Sequence, residues 1–266
     1  MLTAIIAAFL VIAGIGAILG VGLAIADKKL AIQKDEKLVA IEAIMPGANC
    51  GGCGFAGCAD YAAAVASGKA QPGLCAPGGK ELADKMGQIM GVEVTVEEKK
   101  VAFIFCNGSC EKTRKVYEYK GLQDCNAASI LFRGDNGCKY GCLYLGSCMN
   151  VCPEEAIYRK EDGTLAVDAS KCIGCGKCTK VCPTGAIKLI EDRTKYVVAC
   201  NSHDKGGDVR KLCDVGCIGC KICQIKFPGS GFTVTDNLAS SSPVCDEEAA
   251  AKAMEACPRK AISTRR

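Results

Sequence analysis

The chain has no tryptophan and one histidine, and its aromatic residues are 5% of 266. Each shortage closes a possibility. With His203 as the sole imidazole, any zinc site would have to be built from cysteine alone. Its basic residues do not alternate with stacking aromatics, so no nucleic-acid module is present. No Gly-x-Gly-x-x-Gly unit joins a strand to a helix, which removes the usual dinucleotide site, and no flavin attachment site is evident. So few aromatics leave a small core, one that needs help from bound groups to fold. Charge is missing altogether between Leu2 and Ala26.

Against these gaps stand 22 cysteines. Between Gly137 and Ile187 they form two blocks, each ending in Cys-Pro and then, two residues on, Ala-Ile. The second block, Cys172-x2-Cys175-x2-Cys178-x3-Cys182-Pro183, has the ligand spacing of bacterial two-cluster ferredoxins, whose fourth cysteine crosses to the other cluster. The first, Cys138-x3-Cys142-x5-Cys148-x3-Cys152-Pro153, is a stretched version of it. The expected sites are one 4Fe-4S cluster on Cys152, Cys172, Cys175 and Cys178, and another on Cys138, Cys142, Cys148 and Cys182. A disulfide framework explains neither the Cys-x2-Cys spacing nor the proline after the fourth cysteine. Zinc ribbons do not use three close cysteines followed by Cys-Pro. Electron transfer is the first functional expectation.

The uncharged run Leu2–Ala26 would span roughly 37 Å as a helix, enough for a bilayer core of about 30 Å. Asp27, Lys28, Lys29 and Lys34 follow it. The expectation is an uncleaved single-pass anchor in the cell membrane, its C-terminal bulk on the cytoplasmic side by the positive-inside rule. A cleaved signal peptide is the rival, but it lacks a basic n-region. After a loosely periodic helix comes a glycine-rich loop with Cys50, Cys53 and Cys58, then a helix over 59–67 and Cys75. These four predict a further 4Fe-4S cluster, zinc being the alternative. Residues 80–90 read as helix and 92–105 as strand or hairpin. Cys106, Cys110 and Cys125 then offer three ligands of a fifth cluster, with Cys200 or Cys213 as the fourth, unless they are buried free thiols.

The chain also repeats itself. An offset of 45 residues aligns CIGCGKCTKVCP at Cys172 with CIGCKICQIKFP at Cys217. Cys217, Cys220 and Cys223 are kept, Phe227 replaces the fourth cysteine, and Cys257-Pro258 returns near the end. The expected result is one cluster on Cys217, Cys220, Cys223 and Cys257, with the second lost and Cys245 left over. Between Lys171 and Lys226, eleven Lys/Arg face five Asp/Glu. This is either a solvated mixed surface or one that attracts an acidic partner.

The order of parts, an N-terminal helix, PGANCGGCGFAGC…CAPGG, and ferredoxin blocks ending CPEEAI and CPTGAI, resembles the B subunit of the Rnf electron-transport complex in its longer, multi-cluster form. The resemblance implies a ferredoxin:NAD+ oxidoreductase that moves Na+ or H+. In it this chain would take electrons from soluble ferredoxin and relay them to membrane subunits, leaving NAD and flavin chemistry to its partners. An anchored iron–sulfur binding, maturation or redox-sensing module is the alternative from another class. An electron-transfer component of a different membrane oxidoreductase is a third. The fold expectation is α+β: a transmembrane helix at 1–27, a four-cysteine iron–sulfur domain at 28–92, a linker region at 93–135, a two-cluster ferredoxin-like domain at 136–196 and a degenerate second one at 197–266, with four to five 4Fe-4S clusters in all.

Overall fold

The computed structural model describes residues 2–30, 35–94, 98–109 and 111–265, with the side chains of the first helix described over 12–26. Helix α1 (Leu2–Leu30) carries its apolar side chains, Ile18 and Leu23 among them, exposed. Among the described residues no helix is long and apolar enough to cross a membrane. A span needs about 20 consecutive apolar residues in one helix. The expected transmembrane helix, and with it membrane anchoring and single-pass placement in the cell membrane, is corrected accordingly. The rest of that apolar run lies outside the described side chains.

Three helices build the next unit. Asp35 caps α2 (Glu36–Ile44), its carboxylate accepting the Lys37 N–H, and Pro46 follows where the helix has ended. α3 (Cys58–Ala66) buries Tyr61, Ala62 and Val65, and α4 (Gly79–Met90), closed by left-handed Gly91, buries Leu82 and Met86 against them. The Tyr61 hydroxyl donates to the Gln71 carbonyl at 2.9 Å and accepts the Leu74 N–H at 3.1 Å. That pair ties down the loop that returns Cys75.

Strand β1 (Lys100–Ile104) lies in the expected linker but pairs antiparallel with a strand far downstream. Between them come α5 (Cys125–Ile130), α6 (Ser147–Asn150), the hairpin β2 (Ile157–Arg159) and β3 (Leu165–Val167), and α7 (Lys177–Val181); β4 (Ile187–Glu191) then closes the pair. Its core is Val101, Ile104, Ala156, Ile157 and Ile187, packed directly on cysteines. The second unit repeats the plan: β5 (Tyr196–Val198), α8 (Gly206–Leu212), α9 (Ile222–Ile225), the hairpin β6 (Phe232–Thr235) and β7 (Leu238–Ser241), α10 (Glu247–Glu255), and β8 (Ile262–Thr264) paired with β5. Asp236 and Asn237 both take the left-handed φ that a two-residue hairpin turn requires. Phe227 packs against the core of this second unit, beside Phe232, Ala250 and Ala253. By the repeat offset Phe227 stands where the first unit has Cys182, and α10 precedes Cys257 as α6 precedes Cys152.

Gly174 and Gly219, separated by the repeat offset, have φ of 68° and 64°. A Cβ would sit 2.3 Å from the Lys100 carbonyl oxygen at the first and 2.7 Å from that of Asn237 at the second. Each glycine thus lets a cysteine loop pass close to its neighbouring strand or turn.

Candidate metal centres

Every described cysteine except Cys245 falls into one of five groups of four. Cys50, Cys53 and Cys58 lie close enough to Cys75 for their charges to reach it. Cys152, Cys172, Cys175 and Cys178 surround a hollow of about 340 Å³. Cys217, Cys220, Cys223 and Cys257 surround one of about 390 Å³. These three groups are the ones expected from spacing.

The other two are composed differently. Cys142, Cys148 and Cys182 are joined by Cys125 around about 370 Å³. Cys138, expected there, lies instead with Cys106, Cys200 and Cys213 around about 360 Å³. Cys200 and Cys213, both expected as candidates beside Cys106, line the same hollow as Cys106, Cys125 lines the other, and Cys110 lies outside the described residues. The signal was the stretched first block: Cys138-x3-Cys142-x5-Cys148 departs from the compact run its neighbour follows.

The local backbone explains the Cys-Pro-x-x-Ala motif. Three residues after each Cys, the chain turns left-handed, at Glu155, Gly185 and Lys260. That turn aims the next N–H back at sulfur: Ala156 N–H donates to Cys152 Sγ at 3.3 Å, and Ala261 N–H to Cys257 Sγ at 3.4 Å. Ala102 and Tyr144 donate in the same way to Cys172 and Cys142, each at 3.4 Å. Such bonds stabilise sulfur-borne negative charge and raise the reduction potential of whatever it binds.

Burial pushes the Cys178 and Cys200 thiols up to about 12 and the Cys148 and Cys223 thiols up to about 11. Four lone thiolates are therefore disfavoured together, whereas an iron cluster balances their charge. Among the described residues no three His, Cys, Asp or Glu side chains gather as a single ion requires. The thiols are instead spread around hollows, which suits a cluster whose irons each take a different sulfur. A zinc ion would draw all four to about 2.3 Å from one point. Arg259 adds a fit of its own. It lines the Cys217 hollow, donates through Nη2 to the Cys213 carbonyl, and keeps its Nε–H buried without a partner. A donor so placed suits inorganic sulfide. Spacing gave no hint of Arg259. His203 is partly exposed and bonds to Asp236, away from these thiols.

The groups also touch. Cys50 lies near enough to Cys175 for its charge to be felt, and a Cβ on Gly52 would be 3.0 Å from the Cys175 carbonyl oxygen. Cys178 is similarly close to Cys148, Cys142 to Cys106, and Cys200 to Cys217. These approaches put the groups in the succession Cys50, Cys172, Cys142, Cys106 and Cys217.

Paired ferredoxin-type units with thiols set four by four around hollows define an iron–sulfur protein. Family comparisons agree. Residues 45–77 match the FeS family, described by its Fe-S cluster, and residues 165–188 match the 4Fe-4S binding domain family. Over its length the chain is 43% identical to the B subunit of the ion-translocating oxidoreductase complex of Methanosarcina acetivorans, covering 96% of each chain. It is 38% identical to the B subunit of the proton-translocating ferredoxin:NAD(+) oxidoreductase complex of Clostridium ljungdahlii, covering 93% of this chain and 88% of the relative. The identity is also 38% with the Na(+)-translocating counterpart of Acetobacterium woodii, over 90% and 72%. The chain belongs to this family, the B subunits of Rnf-type complexes, and is an electron-transfer subunit of a translocase.

Proposed function

We propose that this chain relays electrons within an Rnf-type ferredoxin:NAD+ oxidoreductase, from reduced soluble ferredoxin toward the other subunits of the complex. Cys50, Cys53, Cys58 and Cys75 would hold one 4Fe-4S cluster, Cys152, Cys172, Cys175 and Cys178 a second, and Cys217, Cys220, Cys223 and Cys257 another. Bound clusters supply one-electron redox chemistry. The residues supply what tunes and connects it: burial, N–H groups directed at sulfur, and loops that bring one group's thiols against the next. The observation that carries the reading is that succession of neighbouring groups, because a relay needs neighbours and a maturation factor does not.

Cys220 is the exposed cysteine among those described, exposed Lys221 follows it, and exposed Lys226 ends the short helix α9. This favours the Cys217 end for an acidic soluble donor, since opposite charge steers encounter. The test is anaerobic stopped-flow mixing of the iron-loaded chain with reduced ferredoxin. Rapid bleaching of its visible absorption, slowed by salt and by Lys221→Glu with Lys226→Glu, is expected. Absence of bleaching, or transfer of iron to an apo-acceptor in place of electrons, contradicts the reading.

A further inference from the structure

We infer that Cys106, Cys138, Cys200 and Cys213 form a complete 4Fe-4S site that joins the two ferredoxin-like units, and that Cys125 takes the place of Cys138 in the first unit. The inference rests on the iron–sulfur reading above and goes beyond it in assigning a site that cysteine spacing divides differently.

The four thiols come from four separate segments, and backbone bonds hold each segment to the next. Cys106 leaves the end of β1, and the Asn107 N–H donates to the Ala199 carbonyl at 2.9 Å, which brings Cys106 beside Cys200. Thr113 and Cys213 form an antiparallel bridge, extended by Arg114 N–H to the Leu212 carbonyl at 2.9 Å and Asp214 N–H to the Lys112 carbonyl at 2.8 Å. Gly137 N–H donates to the Arg114 carbonyl at 2.8 Å, and a Cβ at Gly137 would be equally close to that oxygen, so Cys138 is held against the same segment. Two hydroxyls reach the sulfurs: Tyr144 Oη lies 3.4 Å from Cys106 Sγ, and the Thr113 hydroxyl donates to Cys213 Sγ at 3.8 Å. The hollow, about 360 Å³, lies between those of the Cys172 and Cys217 groups, about 340 and 390 Å³, whose members follow from spacing. An interdomain seam with no bound group needs neither four converging thiols nor hydroxyls turned toward them.

Placement gives the site its role. Cys142 adjoins Cys106 on one side and Cys217 adjoins Cys200 on the other. It is the link between a first unit with two four-thiol groups and a second unit that retains one. One electron received from the reduced cluster on either side leaves to the oxidised cluster on the other, and no proton or further reactant is required.

Paired cysteine variants of the full chain, purified anaerobically, test the grouping by iron analysis. Four irons leave with each site disrupted. Cys138→Ser with Cys213→Ser is expected to lose about four irons per chain, as is Cys125→Ser with Cys148→Ser. Cys138→Ser with Cys148→Ser is expected to lose about eight. The reverse pattern, eight for the first pair and four for the last, overturns the grouping. A parent chain without iron overturns the underlying iron–sulfur reading instead. Should thiol removal unfold the chain, Tyr144→Phe and Thr113→Val read the intact site: both are expected to shift the potential of one and the same reduced-state EPR signal. Shifts in two different signals, or in none, overturn the proposal.

Discussion

Ser147 Oγ accepts the Cys125 N–H at 2.7 Å and donates to the Asp124 carboxylate at 2.7 Å. A buried hydroxyl from the first ferredoxin block thus fixes a cysteine that arrives on an inserted segment. Ser147→Ala leaves that N–H without an acceptor, at a cost of about 1–3 kcal/mol. The variant is expected to unfold at a lower temperature and to release about four irons to a chelator ahead of the rest, followed by absorbance. Uniform release from all sites would show that Ser147 has no special hold on Cys125.

Arg259 lines the Cys217 hollow, holds the Cys213 carbonyl and keeps a buried Nε–H without a partner. A positive charge there favours the reduced, more negative state. Arg259→Gln is expected to lower the potential of one cluster by roughly 100 mV, the Coulomb effect of a unit charge about 8 Å away at an effective dielectric near 20. Redox titration followed by EPR measures it. An unchanged set of potentials would mean that the guanidinium is only a packing element.

Glycine substitutions separate crowding from flexibility. Gly174→Ala drives a Cβ toward the Lys100 carbonyl oxygen in a left-handed backbone and is expected to destabilise by about 2–4 kcal/mol, with loss of iron. Gly207→Ala, in α8 with nothing near its Cβ and no left-handed φ, is expected to stabilise by about 0.5 kcal/mol. Thermal denaturation of the loaded protein checks both signs.

Phe227→Cys restores the missing letter of the repeat. No iron should be gained, because the partners it would need have given way to α10 and an apolar core. Loss of the partly buried ring is expected to cost about 1–2 kcal/mol, read as a lower melting temperature at unchanged iron content.

What could be read from the sequence was whatever is local. Cys172 to Cys182 and Cys217 to Cys223 follow a compact ligand run, and their loops, turns and short helices are as the spacing implies. Cys50 to Cys75 gather as a glycine-rich loop and one helix suggest. What could not be read depends on pairing across distance. β1 falls within the strand or hairpin expected at 92–105, but the register with β4 that joins it to the first unit was not legible. Cys106, Cys125 and Cys138 are placed by hydrogen bonds from the N–H groups of Asn107, Cys125 and Gly137 to the Ala199 carbonyl, the Ser147 hydroxyl and the Arg114 carbonyl, none of which leaves a spacing. Arg259 lines a site through the turn after Cys257, where no motif marks it. The apolar run of α1 gave the opposite lesson: hydropathy over Leu2–Ala26 suggested a span that the described residues do not provide.

Iron and acid-labile sulfide per chain, on anaerobically purified full-length protein with EPR of the reduced state, probe the five-group relay as a whole. Five groups of four thiols predict about 20 irons, about 20 sulfides and about five electrons taken up on full reduction. About eight irons or fewer, or stoichiometric zinc in their place, would contradict it.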